Sequence, residues 1–253
     1  MPENNLWQED GFSAVDNGMT EEKFNEIIEN FRVVFEPIVK KHGGTLVMEP
    51  EWSSSEVNAY ASQEGSNWII HLFGGLARRA EVTEDGFAAV IFHEAGHHLG
   101  GYPFVQDWAA NEGQSDLFSF LAGAKLVWKN DVEVSEVNPT AKKLCDQYSI
   151  EDKSFCYRQM NASYSLANLL GTLGGKKISF DTPDQTIVSR MMNKHPNAQC
   201  RLDTYVAATL CDVAWNHNVI PQNKTEMAAQ SCVYPIEDGK YDIRNRPRCW
   251  YKP

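Results

Sequence analysis

The sequence has 253 residues, of which 42% are hydrophobic and 23% are charged, the composition of an ordinary globular protein. The net charge of -11 argues against nucleic acid as a partner, because phosphate binding requires a basic surface. The sequence lacks the apolar run of about eighteen residues that a membrane helix requires, so no membrane span is predicted. The length allows one sizeable domain or two small ones.

The first third of the chain predicts one helix followed by strands. Residues 1–19 are polar and contain Gly11 and Gly18, which predicts a loosely packed lead-in. An amphipathic helix is expected to begin after Thr20, a suitable capping residue, and to end at Gly43-Gly44. Three short strands are predicted next, over 45–48, 57–61 and 68–73.

Helices are predicted for most of the remainder. A helix capped by Thr83 is expected to run to the turn at Gly100-Gly101 and Pro103. Further helices are predicted over 108–128, 140–147, 158–173, 185–193 and 197–215. A small early sheet followed by helices predicts the α+β class. We expect one domain over 20–215, with an irregular tail over 216–253 packed on it.

Six cysteines lie in the second half of the chain: Cys145, Cys156, Cys200, Cys211, Cys232 and Cys249. None forms a C-x-x-C pair, so three disulfides are favoured over a thiolate metal site, with six reduced, buried thiols as the alternative. Cys200 and Cys211 share a predicted helix and would lie roughly 16 Å apart, too far to bond to each other. They are expected to pair with Cys232 and Cys249, which leaves Cys145 with Cys156.

Disulfides form in oxidising compartments, so an exported protein, periplasmic or extracellular, is predicted. The first residues, Met1-Pro2-Glu3-Asn4-Asn5, have neither the basic start nor the apolar core of a signal peptide. The sequence is therefore expected to be a mature form from which an export signal was removed.

The motif His93-Glu94-Ala95-Gly96-His97 carries the chemistry. Residues four apart lie on one helix face, so both imidazoles can reach a single zinc ion. Glu94 is then directed at a water beside the metal, as the general base of a zinc peptidase requires. The metzincin pattern would place a third histidine at position 103, which is Pro103, so metzincin chemistry is excluded.

The third ligand is predicted in the next helix, at Glu112. Asp116 lies four residues later on the same face, where it can accept a hydrogen bond from the second nitrogen of a ligand histidine. The alternative is that Glu112 and Asp116 are two solvated acids on a helix surface. The position of Glu112, fifteen residues after His97 and across a glycine and proline turn, favours the ligand interpretation.

Together, the H-E-x-x-H and E-x-x-x-D motifs resemble the gluzincin metallopeptidases, and within them the family of the type I CAAX prenyl protease and the heat-shock protease HtpX, including its soluble exported members. The sequence Asn58-Ala59-Tyr60-Ala61 is similar to the edge strand of that family, and His195-Pro196 with Arg201 is similar to its H-P-x-x-x-x-R element. The resemblance implies that Asn58, Ala59 and Tyr60 bind extended substrate by backbone pairing. It also implies that His195 and Arg201 lie near the zinc, where they stabilise the oxyanion or orient the active-site helices.

The sequence therefore predicts a zinc-dependent endopeptidase with one catalytic Zn²⁺ and a protein or peptide substrate. One alternative is a catalytically silent or latent protein that binds a peptide or partner through the same cleft. Another is a structural zinc protein, which would need a fourth protein ligand that the spacing does not supply.

Overall fold

The computed structural model describes residues 18–128, 134, 136–148, 152–232 and 242–253. The predicted lead-in over 1–19 therefore lies almost wholly outside the described residues. Helix α1, Glu21–Lys41, begins where predicted, because the Thr20 side chain accepts a hydrogen bond from the Lys23 amide. Its buried face follows helical spacing and consists of Phe24, Ile28, Phe31, Phe35 and Val39.

Three strands follow, β1 Thr45–Glu51, β2 Ala59–Glu64 and β3 Asn67–Phe73. Their order in the sheet is β1-β3-β2, with β1 parallel and β2 antiparallel to β3. Among the described strands β2 pairs with β3 alone and forms an edge. The prediction of 57–61 for the second strand was wrong at both ends. Asn58 precedes the strand, and the polar Gln63 and Glu64, tolerated at an edge, extend it.

A short helix α2, Gly74–Ala77, leads to α3, Glu84–Leu99, at the centre of the domain. Thr83 caps α3 as predicted, accepting a hydrogen bond from the Gly86 amide. Every residue from Gly86 to Leu99 is buried, because the sheet, α1 and the later helices surround α3.

The helix predicted over 108–128 begins instead at Glu112, as α4, Glu112–Phe118. The preceding residues are held in a loop, since the amide of Ala110 donates to the carbonyl of His97 and that of Asn111 to Pro103. A π-helical turn, Ser119–Gly123, then connects α4 to α5, Ala124–Val127.

The remaining helices are α6 Pro139–Tyr148, α7 Lys153–Leu173, α8 Ala198–Leu210 and α9 Lys224–Ala228. The helix predicted over 197–215 ends early because Cys211 is extended and disulfide-bonded to Cys232. The helix predicted over 185–193 is wrong. That segment contains no helix, and its Val188 and Met192 amides donate to the carbonyls of Arg248 and Trp250.

All six cysteines form disulfides, in the pairs Cys145–Cys156, Cys200–Cys249 and Cys211–Cys232. The pairing of Cys145 with Cys156, and of Cys200 and Cys211 with cysteines of the tail, is thus confirmed. In the part of the chain that the structure describes, no helix is both long enough and apolar enough to cross a membrane. A small sheet followed by helices makes the fold α+β, as predicted.

Candidate metal centre

Helix α3 presents His93 and His97 on one face, one turn apart, with their ring centroids separated by 4.9 Å. Both side chains are almost fully withdrawn from solvent. The glycine between them matters, because a Cβ at Gly96 would lie 2.9 Å from the Cα and the carbonyl oxygen of Ser115 on α4. The absence of a side chain at Gly96 therefore allows α3 and α4 to approach closely opposite the two histidines.

That approach brings Glu112, the first residue of α4, to the histidines. Its Oε2 atom lies 3.4 Å from Nε2 of His93, and its Oε1 atom lies 3.6 Å from Nε2 of His97. Asn111 fixes the start of α4 by accepting a hydrogen bond from the Gln114 amide. Two imidazole nitrogens and a carboxylate thus converge from two helices.

The geometry of these side chains suits a divalent cation. Ligand atoms of a tetrahedral zinc ion with bonds of about 2.1 Å lie about 3.4 Å apart, close to the two separations found here. Within the described residues, His93 Nε2 and Glu112 Oε2 are buried without a hydrogen bond. Burying such polar atoms is costly unless something else coordinates them. The residues present therefore fit zinc.

The opposite nitrogen of each histidine is held by the protein. Nδ1 of His93 lies 2.8 Å from Oδ1 of Asp116. Nδ1 of His97 lies 2.8 Å from the carbonyl oxygen of Ala110 and 3.0 Å from the Ser115 hydroxyl. A carbonyl or carboxylate at Nδ1 requires a proton on that nitrogen, which leaves the lone pair on Nε2 directed at the cluster.

Asp116 is itself enclosed by two side chains of α8. Arg201 donates to both carboxylate oxygens, at 2.8 and 2.6 Å, and the Tyr205 hydroxyl donates at 2.9 Å. Burial alone would raise the pKa of Asp116, but the charge of Arg201 and the hydrogen bond from His93 hold it below its usual value. Asp116 is therefore an ionised acceptor for His93.

Arg201 is 1% exposed and lies behind the cluster, with Nη2 3.8 Å from Glu112 Oε2. The Arg201 guanidinium thus contacts side chains of both α3 and α4, His93 and Asp116.

His195 lies in the turn before α8, at the mouth of the cluster. Its Nε2 atom is 3.0 Å from Oε1 of Glu112, and its side chain is 35% exposed. Burial acts to raise the pKa of Glu112, but the neighbouring His195 and His93 side chains hold it well below the usual value. At 35%, the His195 side chain is more exposed than those of His97 and Glu112, at 11% and 12%.

Glu94 is fully buried on α3, with Oε2 3.9 Å from Nε2 of His97. One ligand atom each from His93, Glu94 and His97 lie within 4.8 Å of one another. A second group that could hold a metal, formed by Cys211, Asp212 and Cys232, is not a thiolate site, because its two sulfurs are joined as a disulfide.

The residues expected to receive substrate lie along the edge of the sheet. β2 packs against α3, which carries the histidines. Ala59 is buried, whereas Tyr60 is 40% exposed and stacks on His71 at 4.1 Å between ring centroids. Asn58, just before the strand, donates to Glu56 at 3.1 Å.

Sequence reasoning did not identify Tyr205, Ser115 or the carbonyl of Ala110 as parts of this centre. Tyr205 follows Arg201 by four residues on α8, so the helix period places both on one face and could have indicated it. The Ala110 carbonyl belongs to the backbone, so no residue type in the sequence indicates its role as an acceptor.

The fold is α+β, and two adjoining helices carry the side chains of a metal-dependent hydrolase. The model of Peptidase family M48 matches residues 25–205, and the chain belongs to that family. It is accordingly a metallopeptidase by family. No curated protein and no solved structure matches the chain. The narrower resemblance to HtpX-like members stays a prediction.

Proposed function

We propose that the chain is a zinc-dependent endopeptidase in which His93, His97 and Glu112 hold one Zn²⁺ and Glu94 is the general base. The convergence of His93 Nε2, His97 Nε2 and the Glu112 carboxylate carries this proposal. The two buried atoms without hydrogen bonds, on His93 and Glu112, support a cation there. Membership of a metallopeptidase family supports it independently.

Zinc at this site would polarise the scissile carbonyl and lower the pKa of the attacking water. Glu94 then takes the proton from that water and delivers it to the nitrogen of the leaving amine. Asp116 and the Ala110 carbonyl keep the histidine rings oriented while this occurs. Burial of Glu94 keeps bulk water from competing for the proton.

His195 and Arg201 receive different roles. His195 is close to Glu112 and partly exposed, so it can donate a hydrogen bond to the oxyanion that forms on the scissile carbonyl. Arg201 acts through Asp116 and is a positioning residue, since its guanidinium is enclosed on the far side of His93.

The substrate is an extended protein or peptide segment that pairs with the edge of β2, beginning beside Asn58 and continuing past Ala59 and Tyr60. Such pairing uses backbone groups and therefore tolerates varied sequences, while exposed side chains such as Tyr60 add preference. The three disulfides support an oxidising location, periplasmic or extracellular.

The test replaces Glu94 by Gln and measures cleavage of casein together with zinc content. We expect the variant to retain zinc and lose cleavage. Glu84→Gln, an exposed position in the first turn of the same helix, is the control and should cleave at the wild-type rate. Equal cleavage by Glu94→Gln and wild type would overturn the assignment, and a zinc-loaded but inactive wild type would favour the silent or latent alternative.

A further inference from the structure

The C-terminal segment, residues 245–251, packs beneath the start of α4, the helix that begins with Glu112. The Trp250 side chain is fully buried, and a Cβ at Gly113 would lie 2.2 Å from its ring atom Cδ2. The indole therefore covers the residue directly after Glu112. Its Nε1–H donates to the hydroxyl of Thr204 on α8 at 2.9 Å, which fixes the plane of the ring.

Arg246 makes a second contact to the same helix turn. Its Nη2 donates to Oε1 of Gln114 at 2.8 Å, and Gln114 Nε2 donates to the carbonyl of Gly100 at 2.7 Å. Both Arg246 and Gln114 are fully buried. The contact ties the first turn of α4 to the end of α3, the helix that carries both histidines.

The segment also holds the chain that leads to His195. The amide of Met192 donates to the carbonyl of Trp250 at 2.9 Å. The carbonyl of Met192 in turn accepts from the side chain of Asn111, the N-cap of α4, at 2.9 Å. The segment thus contacts both the helix turn that begins with Glu112 and the chain that leads to His195, whose Nε2 lies 3.0 Å from Glu112 Oε1.

A disulfide attaches this segment to α8. Cys249, next to Trp250, is bonded to Cys200, next to Arg201. The segment lies outside residues 25–205, which the family model covers, so its contacts are a feature of this chain beyond the matched domain.

We propose that the C-terminal segment is a positioning element of the metal centre, in which Trp250 and Arg246 hold Glu112 toward His93 and His97 and the Cys200–Cys249 disulfide keeps them in place. The inference rests on the proposed zinc site. It follows that metal retention depends on this disulfide and not on the Cys145–Cys156 disulfide, which joins α6 to α7.

The test compares two double variants, Cys200→Ser/Cys249→Ser and Cys145→Ser/Cys156→Ser, after loading with zinc. Zinc release to an excess of a chromogenic chelator is measured, beside thermal unfolding of the metal-free proteins. Loss of residues that support metal ligands typically weakens binding about 10- to 100-fold. We expect the first variant to release zinc at least about 10-fold faster than wild type, and the second to match wild type.

Two single substitutions that leave every disulfide intact keep the test valid if a cysteine variant misfolds. Trp250→Phe removes the hydrogen bond to Thr204 and part of the surface against Gly113, whereas Trp128→Phe alters a buried tryptophan at the end of α5. Faster zinc release and lower kcat with unchanged KM are expected for Trp250→Phe alone. The proposal fails if the wild type holds zinc, the two cysteine double variants release it at the same rate as each other, and Trp250→Phe releases it at the same rate as Trp128→Phe. A wild-type protein that holds no zinc overturns the proposed function itself, and this inference with it.

Discussion

Oδ1 of Asp116 lies 2.8 Å from Nδ1 of His93, with both side chains withdrawn from solvent. The carboxylate at the same time neutralises the buried guanidinium of Arg201. One acid thus orients an imidazole of the proposed metal site and neutralises the guanidinium of Arg201 on α8.

Replacing Asp116 by Asn should therefore harm both metal binding and folding. Removing one partner of a buried ion pair leaves Arg201 uncompensated, which costs about 3–5 kcal/mol. Zinc affinity should fall about 10- to 100-fold, because an amide oxygen is a weaker acceptor for His93 than a carboxylate. Urea unfolding and chelator competition measure the two effects.

Asp85→Asn is the matched control. Asp85 makes the same two-pronged contact with Arg158, but both partners are partly exposed. We expect a cost of about 0–1 kcal/mol and normal zinc affinity. Similar losses of stability in both variants would contradict the role given to the buried pair.

Gly96→Ala should separate α3 from α4. The added methyl group would meet the backbone of Ser115 at 2.9 Å, which a flexible side chain cannot relieve. Alanine is intrinsically better in a helix by about 1 kcal/mol, yet overpacking typically costs about 1–3 kcal/mol. We expect net destabilisation together with weaker zinc binding, measured by thermal unfolding and metal titration.

Gly174→Ala provides the comparison, because a Cβ there has a nearest neighbour at 3.3 Å, at the end of α7. It should retain zinc fully. Normal metal binding by Gly96→Ala would show that the helix spacing does not control the site.

His195→Ala tests the proposed contact with the oxyanion. Removal of one such donor typically lowers kcat about 100- to 1,000-fold. KM and zinc content should change little, since His195 is not among the proposed ligands. Steady-state kinetics on a fluorogenic peptide give the values, and Lys194→Ala, an exposed neighbour in the same turn, should behave as wild type. A rise in KM with normal kcat would instead assign His195 to substrate binding.

The buried ammonium group of Lys125 is expected to make the stability of the protein depend on pH. Burial lowers the pKa of its ammonium group from the ordinary value of 10.5 to about 8, although its Nζ donates to the carbonyl of Cys211. Between these values the unfolded chain binds more protons, so the contribution of Lys125 to stability increases as the pH rises from about 8 to 10.5. The full effect is at most about 3 kcal/mol.

Lys125→Met should remove this pH dependence and stabilise the protein most at pH 7, where the lysine is charged in both states. Calorimetry of both proteins at pH 7 and pH 9.5 checks it, and all six cysteines are disulfide-bonded, so no free thiol complicates the alkaline sample. A difference in melting temperature that stays constant with pH would contradict the assignment.

The elements that the sequence predicted well have strong local signals. Thr20 caps a helix with clear apolar spacing, and Thr83 caps a helix-forming apolar run. The two histidines of α3 are placed together by the helix period alone. The proposed ligand Glu112 was located by its distance along the chain from His97, and α4 does begin there.

The sequence-based predictions failed where contacts between residues far apart in the chain outweigh the local spacing of apolar residues. Ile187, Val188, Met191 and Met192 have helical spacing, yet the segment forms no helix because its amides bond to the C-terminal residues. The buried position of Arg201 likewise depends on Asp116, 85 residues away, and no sequence motif predicts on which side of the proposed metal site it lies.

The edge position of β2 limits what the proposed enzyme can cut. A segment that joins this edge must lie extended for several residues with its backbone hydrogen bonds unmade, a state available in unfolded chains and absent from helices or paired strands. The sheet would then act as a filter on conformation rather than on sequence. The chain's own helices, cross-linked by three disulfides, would be spared self-digestion by the same filter.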